Sequence, residues 1–127
     1  MILVDTDVLI AHLRGLEAAR GWMSAARRRG PLAISAVTVT ELTGGMRSAE
    51  RHEVWALLGA LHTEPVTELV ANRAAELMRT YRRSHSAIGL GDYLIAATAQ
   101  TLNLELATLN VRHFPMFDDL APPFTLT

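Results

Sequence analysis

Residues 2–10 read ILVDTDVLI. An apolar run meets Asp5, then Thr6 and Asp7, and turns apolar again. Residues 2–5 suit a short buried strand. Asp7 suits the N-cap of a helix running to Leu13. That leaves Asp5 without a local task. A carboxylate at the end of a core strand is costly unless it is paired, hydrogen-bonded or bound to a cation. Whether this strand–acid–helix unit is followed by others of its kind decides the fold.

It is. Gly15 breaks the first helix, and Leu16, Ala19, Met23 and Ala26 recur at helical spacing before a basic last turn, Arg27-Arg28-Arg29, and the stop at Gly30. Pro31 precedes a second strand, LAIS, at 32–35. Thr38 with Glu41 has capping-box spacing, and Val39, Leu42 and Met46 form the stripe of the next helix. Val54, Leu57, Leu58 and Leu61 predict another helix, followed by a short strand around Pro65-Val66. Thr67 opens a long helix with Val70, Ala74, Leu77, Met78 and Tyr81 on one face and Arg73, Glu76, Arg79 and Arg83 on the other. The loop SHSAIGLG leads to Asp92 and to a segment, YLIAATA, that is apolar almost all round and so predicts a buried central helix. Residues 105–109, ELATL, predict the next strand, and 124–126 a last one. Strands alternating with helices predict an α/β fold with a parallel sheet of four to five short strands flanked by helices.

The 127 residues, half of them apolar and a fifth charged, suit one globular domain over 1–127. Absence of cysteine excludes disulfides and thiolate zinc sites. The apolar runs are too short to span a bilayer, and no basic stretch with an apolar core opens the chain, so a cytoplasmic protein with no membrane partner is expected. The formal charge is -1, and all 12 basic residues are arginine. Global charge therefore offers no attraction for a polyanion.

Topology brings distant acids together. In a parallel α/β sheet, ligands gather at the carboxyl edge of the strands. Asp5 ends the first strand, and Glu41 lies in about the first turn of the helix leaving the second. Asp92 begins the helix that runs back into the strand at 105–109, and Asn110 follows that strand. Three carboxylates this close repel, so either one is protonated or a cation lies among them. An all-oxygen donor set suits a hard ion, Mg²⁺ or Mn²⁺, of the kind that serves phosphodiester hydrolysis. Each acid also has a plainer use: Asp92 as an N-cap, Glu41 as half of a capping box, Asn110 as a turn residue.

Four stretches then carry a resemblance: MILVDTDVLI, SAVTVTEL around Glu41, GLGDYLIAATA around Asp92, and LATLNVRHFPMF near the end. In this order and spacing the chain resembles a PIN-domain ribonuclease, in particular the VapC-like toxins of toxin–antitoxin pairs. The resemblance implies a single PIN-like domain with metal-dependent endoribonuclease activity. It implies that Asp5, Glu41 and Asp92 hold Mg²⁺ or Mn²⁺, with Asn110 completing the catalytic set. Thr6 and Thr108 are implied contacts to metal-bound water or phosphate. It further implies an RNA substrate, a homodimer and a VapB-like antitoxin covering the acidic site. The family position matching Asn110 carries Asp or Asn, and the neutral amide here argues against a tightly held second ion.

Binding RNA at an acidic site needs local arginines. Arg112, just past Asn110, is the first candidate. Arg27–Arg29 and Arg82–Arg83 are others, although basic helix C-termini also answer the helix dipole. His113 reads as a packing or turn residue, with phosphate contact as its alternative. Two other functions compete. Asp5-Thr6-Asp7 also fits the nucleophile and acid of a haloacid-dehalogenase-like phosphatase, which the missing lysine opposes. A non-catalytic PIN-fold interaction module fits the neutral Asn110 but not three retained acids.

Overall fold

Strand β1 (Ile2–Val4), β2 (Leu32–Ser35), β3 (His62–Glu64) and β4 (Glu105–Ala107) form one parallel sheet in the order β3-β2-β1-β4. The computed structural model describes residues 1–126. Ile2 pairs in register with Leu32 on one side and Glu105 on the other, and Ala33 with His62. The chain thus winds outward from β1 to β3 and returns to lay β4 on the other flank of β1. That reversal makes the carboxyl ends of β1 and β4 a topological switch point, where the two crossovers diverge and leave a crevice.

Six helices cover the sheet: α1 (Thr6–Leu13), α2 (Glu17–Arg29), α3 (Ala36–Gly45), α4 (Arg51–Gly59), α5 (Glu68–Tyr81) and α6 (Leu90–Leu102). Strand side chains alternate between two cores. Leu3 and Ala33 face Val70, Ala74, Leu77 and the alanines of α6. Val4, Leu32 and Ile34 face Val8, Leu9, Met23, Leu42 and Leu58 on the other helices. Both faces are covered, so the inner strands read as continuous apolar runs. Helix α6 buries Tyr93 and Ile95 to Ala99, as its all-round apolarity predicts. Gly15 adopts φ +80°, a left-handed turn that β-carbons disfavour, and so lets α2 fold back on α1.

Several boundaries differ from the sequence reading, each for a local reason. Helix α1 is capped by Asp5, not Asp7: the backbone of Asp5 is extended and its side chain accepts from Thr6 N. Ser35, not Thr38, caps α3 in the same way, accepting from Val37 N. Both junctions pass from strand to helix without a loop, which moves each cap one or more residues toward the strand. Strand β3 ends at Glu64, before the expected Pro65-Val66, because proline cannot donate to the ladder. Strand β4 ends at Ala107 because Leu109 N bonds to the Asp7 carboxylate instead of the sheet. Residues 124–126 form no strand. Pro122 and Pro123 remove donors there, and the Phe124 ring packs on Trp22 with centroids 6.3 Å apart. Thr67 does cap α5, bonding Val70 N.

Candidate active site at the carboxyl edge

Asp5 stands at the end of β1 with 6% of its surface exposed. Its two oxygens are held from opposite ends of the chain. Oδ1 accepts from Thr6 N at 2.8 Å, and Oδ2 accepts from the fully buried Thr108 hydroxyl at 2.7 Å. Thr108 Oγ1 in turn accepts from Asn110 N at 3.1 Å, and of the two carboxylates its hydroxyl reaches, Asp5 is much nearer than Asp7 at 3.4 Å, so its single proton goes to Asp5. Burial nevertheless pushes Asp5 up to about 7, with the negative charge of Asp7 adding to it and that of Asp92 adding less. The bonds from Thr108 and Thr6 pull the other way. Repulsion on Asp5 therefore comes chiefly from Asp7 and less from Asp92, not from the Asp5, Glu41 and Asp92 trio of the sequence reading, and desolvation outweighs it.

Glu41 lies in the second turn of α3 rather than the first, because α3 starts at Ala36. Its Oε1 accepts from the Thr6 hydroxyl at 2.6 Å. A hydroxyl has one proton, so the 3.0 Å contact between Thr6 and Thr38 hydroxyls is a donation from Thr38. The expected Thr38–Glu41 capping box is thus replaced by a relay, Thr38 to Thr6 to Glu41, with Thr38 wholly buried. Gly91 brings α6 against this group. A β-carbon there would lie 3.3 Å from Glu41 Oε2 and 3.4 Å from Val37 Cγ1. The close approach is what sets Glu41 beside the start of α6.

Asp92 is the third residue of α6. Its Oδ2 accepts from Gly89 N at 3.2 Å, so Gly89 holds the N-cap position and Asp92 supports it. The same oxygen meets His113 Nδ1 at 2.9 Å. His113 closes the 3₁₀ turn Val111–His113, and the next residue, Phe114, is buried in the α5–α6 core. Asn110 is exposed and its side chain makes no hydrogen bond among the described residues. Arg112 is exposed beside it.

The remaining candidates separate by end of the molecule. Arg73 Nε bonds Gln100 Oε1 at 2.9 Å, joining the first half of α5 to the end of α6. The two helices therefore run antiparallel, and Arg82–Arg83, just past α5, share the end where Asp92 lies. Arg27–Arg29 end α2 just before β2, at the amino edge of the sheet and away from the acids, with Arg29 beside Met1 and Ile2. Asp7 proves to be a clamp rather than a cap. Its oxygens accept from Leu109 N at 3.1 and 3.3 Å, and burial raises its pKa above the ordinary carboxylate value. Three residues at this edge were thus misjudged or overlooked from sequence: Asp7, Thr38 and His113. The visible signal for His113 was its place three residues after Asn110 and next to an aromatic anchor.

The donor set fits a hard divalent ion. Asp5, Glu41 and Asp92 offer oxygen only, and among the described residues Asp92 Oδ1 and Glu41 Oε2 have no protein donor. Buried Asp5 at about pH 7 is a carboxyl whose ionisation a cation would favour. No three acidic or histidine side chains among the described residues are already gathered at the spacing of a shared ion.

A parallel α/β domain with acids gathered at the carboxyl edge of its switch point is the class this geometry defines. Residues 2–120 match the PIN domain family model, and the chain belongs to that family. It is similar to Ribonuclease VapC10 of Mycobacterium tuberculosis, 65% identical over 126 residues that span 99% of this chain and 95% of the relative. Ribonuclease VapC19 of the same organism is 42% identical over 125 residues, 98% of this chain and 100% of the relative. Among solved structures, a toxin–antitoxin complex from Klebsiella pneumoniae superposes with TM-score 0.80 and 27% identity, covering 98% of each chain. Membership of the PIN family removes the phosphatase alternative. No helix among the described residues is long and apolar enough to cross a membrane.

Proposed function

We propose that the protein is a metal-dependent endoribonuclease toxin neutralised by a cognate VapB-like antitoxin, with its site at Asp5, Glu41, Asp92 and Asn110. The observation that carries the site is the convergence on one edge of Asp5, Thr6, Glu41 and Thr108, bonded across as many as 103 positions of sequence. The VapC ribonuclease similarity supports the activity. Asp5 and Asp92, with Glu41, are the residues that would hold Mg²⁺ or Mn²⁺. Such an ion supplies activation of water and neutralisation of charge on the scissile phosphate. The chain's own share is positional. Thr108 and Thr6 N orient Asp5, Thr6 orients Glu41, and Gly89 N with His113 orients Asp92. Arg112 and Arg82–Arg83 offer the positive charge that an RNA backbone needs near an acidic crevice. Asn110, exposed and neutral, suits contact with RNA or a water.

A groove of about 510 Å³ opens beside Glu41, with Ile10, Leu13, Leu42, Met46 and Val54 as its apolar lining. Arg14 and Arg47 stand at its rim. We place an apolar antitoxin segment there, because the groove is continuous with the site that inhibition must cover. The protein is further proposed to act in the cytoplasm as a homodimer, for which the exposed Leu69 and Leu102, on adjoining ends of α5 and α6, supply apolar surface.

The test is cleavage of total RNA with 5′ ends mapped, comparing wild type and Asp92→Asn in Mn²⁺, Mg²⁺ or EDTA. Discrete cuts that need metal and vanish in the variant are expected. Absent cuts, or cuts that survive in Asp92→Asn, would overturn the nuclease reading and leave a non-catalytic PIN-fold module.

A further inference from the structure

The three proposed ion-holding carboxylates are not held alike. Asp5 and Glu41 are oriented by backbone and hydroxyl donors close at hand. Asp92 alone meets a histidine. Asp92 and His113 side chains are about a quarter exposed, and the contact joins α6 to the turn after β4. The acceptor is a carboxylate, so the proton of this bond resides on Nδ1.

We propose that His113 is the positioning residue of Asp92: with Gly89 N–H it engages Oδ2 and leaves Oδ1 as the single oxygen free for the ion. The inference rests on the reading of Asp92 as an ion-holding residue. Its geometry is over-determined from the other side. Leu109 N is pinned by Asp7, Asn110 N by Thr108, and His113 N bonds Asn110 O at 3.0 Å. Phe114, 1% exposed, anchors the following residue in the core. The ring is therefore delivered to Asp92 by a turn fixed at both ends, whereas a merely solvated surface histidine would need no such support. Partners that orient a metal-holding group are worth about 10- to 100-fold in ion affinity or activity.

The measurement is direct Mn²⁺ binding, read by electron paramagnetic resonance of the free ion, for wild type, His113→Ala, His113→Asn, His113→Gln and Asp92→Asn. Unfolding temperatures in EDTA are taken alongside. His113→Ala should weaken Mn²⁺ about 10- to 100-fold. Asn should restore most of the loss, because its side-chain N–H falls where Nδ1 stood, and Gln, which mimics the far nitrogen, should not. RNA cleavage by His113→Ala should recover at saturating Mn²⁺, which a histidine touching phosphate would not allow. Loss of binding in Asp92→Asn but wild-type affinity in His113→Ala would overturn this inference alone. Equal behaviour of the Asn and Gln variants would also overturn it, and that comparison stands even if His113→Ala fails to fold. Wild-type affinity in Asp92→Asn would remove the ion site itself, and the inference with it.

Discussion

Asp5 and Asp92 lie at the same edge of the sheet and are held by opposite strategies. Asp5 is sunk to 6% exposure in the junction between β1 and α1, held by a backbone amide and a buried hydroxyl, and its carboxyl is pushed up to about 7. Asp92 keeps a side chain 26% exposed and is held by the start of α6 and by His113. The buried acid is costly in the protein without metal and gains most from a cation. The open one has water as well as protein to solvate it. The proposed site thus combines a buried acid that a cation would stabilise strongly with an acid that stays accessible.

The comparison breaks most visibly in paired substitutions. Asp5→Asn and Asp92→Asn should each lower RNA cleavage at least about a hundredfold, of the order of 3 kcal/mol in the barrier. Their stabilities should diverge. Asp5→Asn should raise the unfolding temperature at about pH 8 in EDTA, whereas Asp92→Asn should not. Equal shifts would end the distinction.

Titration of metal-free wild type sharpens it. The folded Asp5 carboxyl sits at about 7, well above the ordinary carboxylate value of the unfolded chain, so the folded state holds the extra proton. Its stabilising contribution is complete below about pH 4 and is lost as pH rises through about 7. Calorimetry in EDTA should show wild type losing roughly 3 kcal/mol relative to Asp5→Asn between about pH 5 and about pH 8. Mn²⁺ at the upper pH should restore much of that loss.

A smaller effect is expected from Thr108→Val, which keeps the shape and deletes the donor to Asp5. Cleavage should fall about tenfold, near the worth of a hydrogen bond to a charged group, and its pH midpoint should move upward. Smallest is Gly91→Ala. The helix should gain up to about 1 kcal/mol, while Glu41 Oε2, 3.3 Å from the new β-carbon, must yield by a few tenths of an ångström. A rise in unfolding temperature with a severalfold drop in cleavage would show that the glycine serves the site. A rise with full activity would show that Glu41 tolerates displacement.

Much of the fold was legible because periodicity and punctuation agree with it. The apolar run at 2–4, the caps and stops at Thr67, Gly15 and Gly30, and the all-round apolarity of 93–99 recur in the structure as read. The errors cluster where a strand passes into a helix without a loop. There the sequence reading places the caps at Asp7 and Thr38, whereas the extended backbone angles of Asp5 and Ser35 make those residues the caps. The strand expected at 124–126 failed because Pro122 and Pro123 remove ladder donors just before it and the Phe124 ring packs on Trp22.

By itself the sequence determined that Asp5, Glu41, Asp92 and Asn110 belong to one edge, because in a parallel α/β chain order dictates which element ends meet. It could not determine what each side chain does on arrival. Only the tertiary structure assigned Asp7 to Leu109 N, Thr38 to the relay behind Glu41, and His113 to Asp92. The reason is range. Those bonds are 3 to 3.1 Å or shorter between residues 21 to 102 positions apart, and hydrogen-bond geometry changes within an ångström, far finer than the placement that residue spacing can supply.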